Sequence, residues 1–143
     1  MSSPAVYDDA REKIETAAAA LGIPVAWPNE AFEEPHPFTE DGTPTVWLAV
    51  EFEGDVSEPI EIGDGVWNED GVIHLSFMVP KGTGIRAGLV ARKEFGMAFR
   101  GQPVSPVLYR DMVLDPGGPG ETDGQWRFLA MRVAYSYQDI PNG

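Results

Sequence analysis

Gly82-Thr83-Gly84-Ile85-Arg86-Ala87 has the spacing of a dinucleotide-binding turn, in which glycines let backbone N–H groups approach a pyrophosphate at the start of a helix. An apolar, strand-like run over 72–79 precedes it and a helical pattern follows, so the local context fits. The chemistry also needs an acid about twenty positions on, at the end of a parallel second strand, to hold the ribose. That region here is Pro103 to Pro106, and it contains no acid. The upstream strand is expected to pair in a hairpin, which removes the parallel unit. A Walker loop is excluded because no Gly-Lys-Ser or Gly-Lys-Thr occurs. We expect no nucleotide site and no cofactor.

Histidine and carboxylate chemistry is equally thin. His36 lies between Pro35 and Pro37, and His74 lies within a strand on the same side as Ser76. A transition-metal site gathers three or four ligands at defined spacing, and two isolated histidines without cysteine do not supply them. Glu51 and Glu53 share a strand face and Glu69-Asp70 reads as part of a turn. Paired acids do acid–base work only where an apolar pocket separates their pKa values, and nothing flanking them promises one. No EF-hand spacing and no Gly-x-Ser-x-Gly elbow is present. The expectation is a protein with no catalytic residues and no metal.

Charge is uneven. The net charge is -13, and no lysine or arginine occurs between Lys13 and Lys81, an interval rich in Glu and Asp. The basic side chains come later, at Lys81, Arg86, Arg92, Lys93, Arg100, Arg110, Arg127 and Arg132. Gripping nucleic acid needs clustered Lys and Arg to neutralise phosphates, so this balance argues against it. Two readings stand side by side: an ordinary acidic surface that aids solubility, or an acidic face that meets the basic face of a neighbouring copy.

With 143 residues, 43% of them hydrophobic, and four tryptophans, the chain can build one core. No run approaches the roughly 18 to 20 apolar residues of a bilayer span, and Met1-Ser2-Ser3-Pro4 does not open a signal peptide. A soluble chain in the cytoplasm at synthesis is expected.

The elements that position these residues follow from periodicity. A helix is predicted over 4–21, with Pro4 in its first turn, an apolar stripe of Ala10, Ile14, Ala17, Ala18 and Leu21, and Gly22 as the stop. A short strand over 23–27 follows. Residues 30–44 hold prolines, acids, Phe32 and Phe38 without periodicity, so a long loop is expected. Phe32 and Phe38 either pin that loop to the core or present apolar surface to a partner. Residues 45–53 alternate as a strand, and 58–67 with 72–79 read as a hairpin turning at Asn68-Glu69-Asp70-Gly71, with a bulge at Gly63 and Gly65. A helix over 83–99 carries small residues suited to close packing on a sheet, namely Ala87, Gly88, Ala91, Gly96 and Ala98. Strands over 107–114 and 125–137 flank an exposed glycine-proline loop over 115–124. This order gives one α+β domain over 1–143, a largely antiparallel sheet flanked by two helices.

Ala26-Trp27-Pro28-Asn29, the strand Trp47 to Phe52, Ile62-Gly63, the Gly71 segment and Pro80-Lys81-Gly82-Thr83-Gly84, in that order, resemble the tail terminator proteins of long-tailed bacteriophages. The resemblance covers about residues 5 to 100. It implies a structural virion protein at the tail–neck region, assembled in the host cytoplasm as a homo-hexameric ring. Such a ring caps the tail tube protein, stops its elongation and offers a docking surface to the head connector or head-completion protein, while DNA passes through without specific binding. No membrane is involved. Under this reading Phe32, Phe38, Arg86, Arg92 and Lys93 are the candidate interface residues. The alternative is a small-molecule or peptide-binding α+β domain, an enzyme among its forms, using the Trp-lined face of the sheet. A heavy native mass separates the first from the second.

Overall fold

The computed structural model describes residues 3–59, 67–100, 107–115 and 122–139. Helix α1 runs Pro4–Leu21, with Pro at its first turn and Gly22 closing it at φ 67°, where the Gly22 N–H donates to the Ala18 carbonyl. Glycine is the residue that takes this left-handed position without a Cβ penalty. Val6, Ala10, Ile14 and Ala18 are buried at helical spacing, whereas Leu21, predicted to continue the stripe, is exposed.

Strand β1, Val25–Ala26, is shorter than its sequence suggested and pairs in parallel with β2, Trp47–Pro59. β2 pairs antiparallel with β3, Trp67–Pro80, in a ladder that runs from Trp47↔Met78 to Pro59↔Trp67 with one register shift. The predicted turn at Asn68–Gly71 is therefore wrong: those residues lie inside the ladder. Gly71 is glycine for want of space, since an added Cβ would overlap the Tyr135 ring and the Glu53 carbonyl oxygen. The polar residues beside it are cross-strand partners. Tyr135 Oη donates to Glu69 Oε2 at 2.6 Å, the Ser3 N–H donates to the same oxygen at 3.2 Å, and Ser136 Oγ donates to Asp70 Oδ1 at 2.6 Å. The ladder's irregularity falls between Gly54 and Val56. The bulge predicted at Gly63 and Gly65 lies outside the described residues.

Helix α2, Arg86–Phe99, starts later than predicted. Gly82 and Gly84 sit at φ 82° and 81°, which no right-handed helix accepts, and Thr83 Oγ1 donates to the Pro80 carbonyl at 2.7 Å to close a turn. The remaining strands are β4, Val107–Asp115, β5, Thr122–Asp123, and β6, Trp126–Asp139. The rest of the predicted 115–124 loop lies outside the described residues.

The six strands form one sheet in the order β1-β2-β3-β6-β4, with β5 on β6, antiparallel apart from the β1–β2 pair. Both helices contribute to one core with Leu48, Val50, Ile73, Leu75, Phe77, Leu129, Met131 and Val133, so they share a face of the sheet. Gly88 makes the approach close: a Cβ there would overlap Leu129 Cδ1. The result is an α+β domain of two helices on a mostly antiparallel six-stranded sheet.

The opposite face is half covered. At one end Trp47, Met78 and Trp126 form a second apolar cluster, closed by Phe32 and Phe128. Further along, Glu51, His74, Arg132 and Val113 are in register across β2, β3, β6 and β4.

Candidate functional site

Among the described residues singled out for chemistry, His74 and Glu53 meet as a pair, and the Gly82–Ala87 segment and His36 lie in other parts of the fold. The Gly82–Ala87 segment connects β3 to α2, but both neighbours of β3 run antiparallel to it, so the parallel unit of a dinucleotide site does not form. His74 Nε2 lies 2.7 Å from Glu53 Oε2 as a solvent-side strand pair. His36 Nδ1 accepts the Phe38 N–H at 3.2 Å within the long loop. Among the described residues no group of three or more His, Cys, Asp and Glu gathers as a metal site. No described helix is long and apolar enough to cross a membrane.

The Trp-lined sheet face, where a ligand-binding domain would open, is filled by the protein itself. Phe32 stacks on Trp47, Trp47 meets Trp126 edge-on at 5.8 Å, and Trp126 Nε1 donates to Glu34 at 3.2 Å. Those contacts fasten the loop between β1 and β2. At its start, Arg11 of α1 lies over the Trp27 ring at 4.4 Å and holds Glu30 by an ion pair. The Arg11 hydrogen bond keeps the Glu30 carboxyl below the usual range. A concavity of about 440 Å³ beside the start of α1 is lined by Tyr7, Pro28, Asn29 and Phe52, among others. Asp8 and Glu51 also line it.

What the surface does offer is two unlike patches. The first is at the β4 edge, where β4 has a described partner only on its β6 side. Here α2 and β4 bound a groove of about 320 Å³. Leu89, Met112, Leu114 and Met131 give it an apolar lining, and Arg92, Lys93 and Arg100 a basic one. Gly96, buried in α2, lies under the groove, where a Cβ would be in ordinary contact with the Met112 and Met131 sulfurs at 3.8 Å. Leu108 (59% exposed), Val113 and Leu114 (50%) leave much of this edge strand apolar and open. Arg92 also braces the groove from within, its Nη1 donating to the Ala130 carbonyl at 3.3 Å.

The second patch is the acidic turn of the long loop. Phe38 bridges to Pro44, and the Thr39 N–H donates to the Thr43 carbonyl at 2.9 Å. Asp41 accepts from the Thr39 hydroxyl and from the Thr43 N–H, and these bonds keep its carboxyl below the usual range. Phe38 is 40% exposed at the base of this turn. Of the residues the sequence singled out, Phe38 is thus on an open turn and Phe32 is half-buried on Trp47. Lys93 and Arg86 are exposed, and Arg92 is half-buried. Sequence reasoning missed the β4 side of the groove. Its signal was the run Val107-Leu108-Tyr109 and Met112-Val113-Leu114, apolar on both faces where a half-buried strand should alternate.

The chain thus carries, among its described residues, an apolar sheet edge and two patches of opposite charge. Its family is established by comparison: a family profile for phage tail terminator proteins matches residues 5–135, and the chain belongs to that family. Members are structural virion proteins of the phage tail and not enzymes. No curated protein matches. Seven solved chains do. One of them is 20% identical over 99% of each chain with a TM-score of 0.67, a likeness that shows the fold.

Proposed function

We propose that the chain closes into a homo-hexameric ring on the end of the tail tube, stops the tube from lengthening and presents its other side to the head connector. The observation that supports this best is the pairing of family membership with two different patches, the apolar and basic groove between α2 and β4 and the acidic turn of the loop between β1 and β2. Unlike patches on one subunit give head-to-tail contacts, and these close into a ring when the rotation allows. Exposed ion pairs contribute only about 0–1 kcal/mol each, so apolar burial at Phe38 and along β4 supplies most of the affinity, and charge sets orientation. In this reading the acidic excess, with carboxylates such as Glu51 and Glu53 on the uncovered sheet face, lines the opening through which DNA slides without sticking.

Tail assembly with and without the protein tests this. Tubes should grow to a defined length and stop when the chain is present, and should overgrow without it. Equal tube lengths in both reactions would remove the terminator role.

A further inference from the structure

We infer that the groove between α2 and β4 receives the acidic turn of a neighbouring copy, with Phe38 seated among Leu89, Met112, Leu114 and Met131 and Glu40 facing Lys93. This contact rests on the ring reading above and names the surfaces that would build it.

Shape supports it first. The groove, about 320 Å³, is near the lower size of small-molecule pockets, room for one aromatic side chain but little more. Met112, half-buried at the groove wall, is unbranched and adapts to a ring placed against it, while the buried Met131 forms the floor, and sulfur–aromatic contact is favourable. Phe38 is a suitable occupant because it stands 40% exposed at the base of a turn that already holds its shape. The Thr39, Asp41 and Thr43 hydrogen bonds and the Phe38–Pro44 bridge fix that turn, so little order is lost on docking.

Charge points the same way. In a chain of net charge -13, the groove gathers Arg92, Lys93 and Arg100. The loop between β1 and β2 carries Glu30, Glu33, Glu34, Glu40 and Asp41 and no basic residue. Complementary potentials of this kind fix register and reject wrong faces.

Placement completes the case. The groove lies between α2 and β4 and the turn belongs to the loop between β1 and β2, so the two surfaces are built from different segments and one copy can give and receive at once. The contact is heterologous, which a closed ring requires.

The chain contains no cysteine, so introduced thiols report cleanly. Glu40→Cys and Lys93→Cys, which leave the apolar contact whole, are made in separate chains, mixed in the presence of tail tubes and treated with a short bismaleimide. A covalent dimer should appear in the mixture and in neither variant alone. In parallel, Lys93→Glu should weaken assembly about tenfold, and adding Glu40→Lys to the same chain should restore most of it. Wild-type rings with no mixed adduct, or a charge swap that fails to restore them, would overturn the groove contact and leave the ring intact. An adduct of the Glu40→Cys chain with the tube protein instead would overturn the copy-to-copy assignment. Wild-type chains that remain single on tail tubes would remove the ring reading, and the contact with it.

Discussion

Phe32 stacks on Trp47 with ring centroids 5.0 Å apart and ring planes inclined by 29°, and this pair fastens the long acidic loop to the sheet. A fifteen-residue stretch of prolines and carboxylates would otherwise have few apolar anchors. The turn that carries Phe38 is therefore held at a fixed place on the molecule.

Replacing Phe32 with alanine should cost about 2 kcal/mol, the combined loss of partial apolar burial and an aromatic pair. Urea unfolding measures the cost. Limited proteolysis should cut first within 30–44, and unchanged proteolysis there would mean the loop is anchored elsewhere.

Gly71 separates the ladder from the turn first suggested by its sequence. In a left-handed turn, Gly71→Asn would be tolerated. In the ladder beneath Tyr135 and the Glu53 carbonyl, both Gly71→Ala and Gly71→Asn should destabilise by about 1–3 kcal/mol, asparagine the more. Denaturation midpoints of the two variants decide between them.

Acid stability should depend in part on Asp70. The Ser136 hydrogen bond holds this carboxyl below the usual range against the opposing effect of burial. Its folded pKa is thus lower than its unfolded value of about 3.9, so its contribution is complete above that value and is lost as pH falls through the folded one. Ser136→Ala should cost about 1 kcal/mol at neutral pH and make the acid limb of a stability–pH curve shallower. An identical slope in wild type and variant would show that another carboxylate governs that limb.

The loop at Gly82–Ala87 should bind no nucleotide. Calorimetry with NAD, ATP and GTP is expected to give no saturable heat. Tight binding abolished by Gly84→Val would reverse that conclusion.

How far the sequence reached depended on whether a feature was local. Helix α1 was legible from end to end because Pro4, the buried stripe and Gly22 each act within one turn of their own position. The long strand β6 was legible from its composition. The β2–β3 hairpin was misread because Asn68-Glu69-Asp70-Gly71 has turn chemistry, while its real partners, Tyr135 and Ser136, are 66 positions away or nearly so. The start of α2 was misplaced because glycines that permit a turn were counted as part of the helix that follows. At the candidate interface, Arg92 and Lys93 were visible as charge, but the groove was not. It exists only because β6 is inserted between β3 and β4, which leaves β4 at the edge beside α2. That order is a property of the whole sheet.

Native mass on tail tubes tests the central claim most directly. Light scattering or native mass spectrometry of complexes released from capped tubes should give a single species of about 94 kDa, six times the 15.6 kDa chain. An isologous dimer, or a single chain, bound at the tube end would contradict the account.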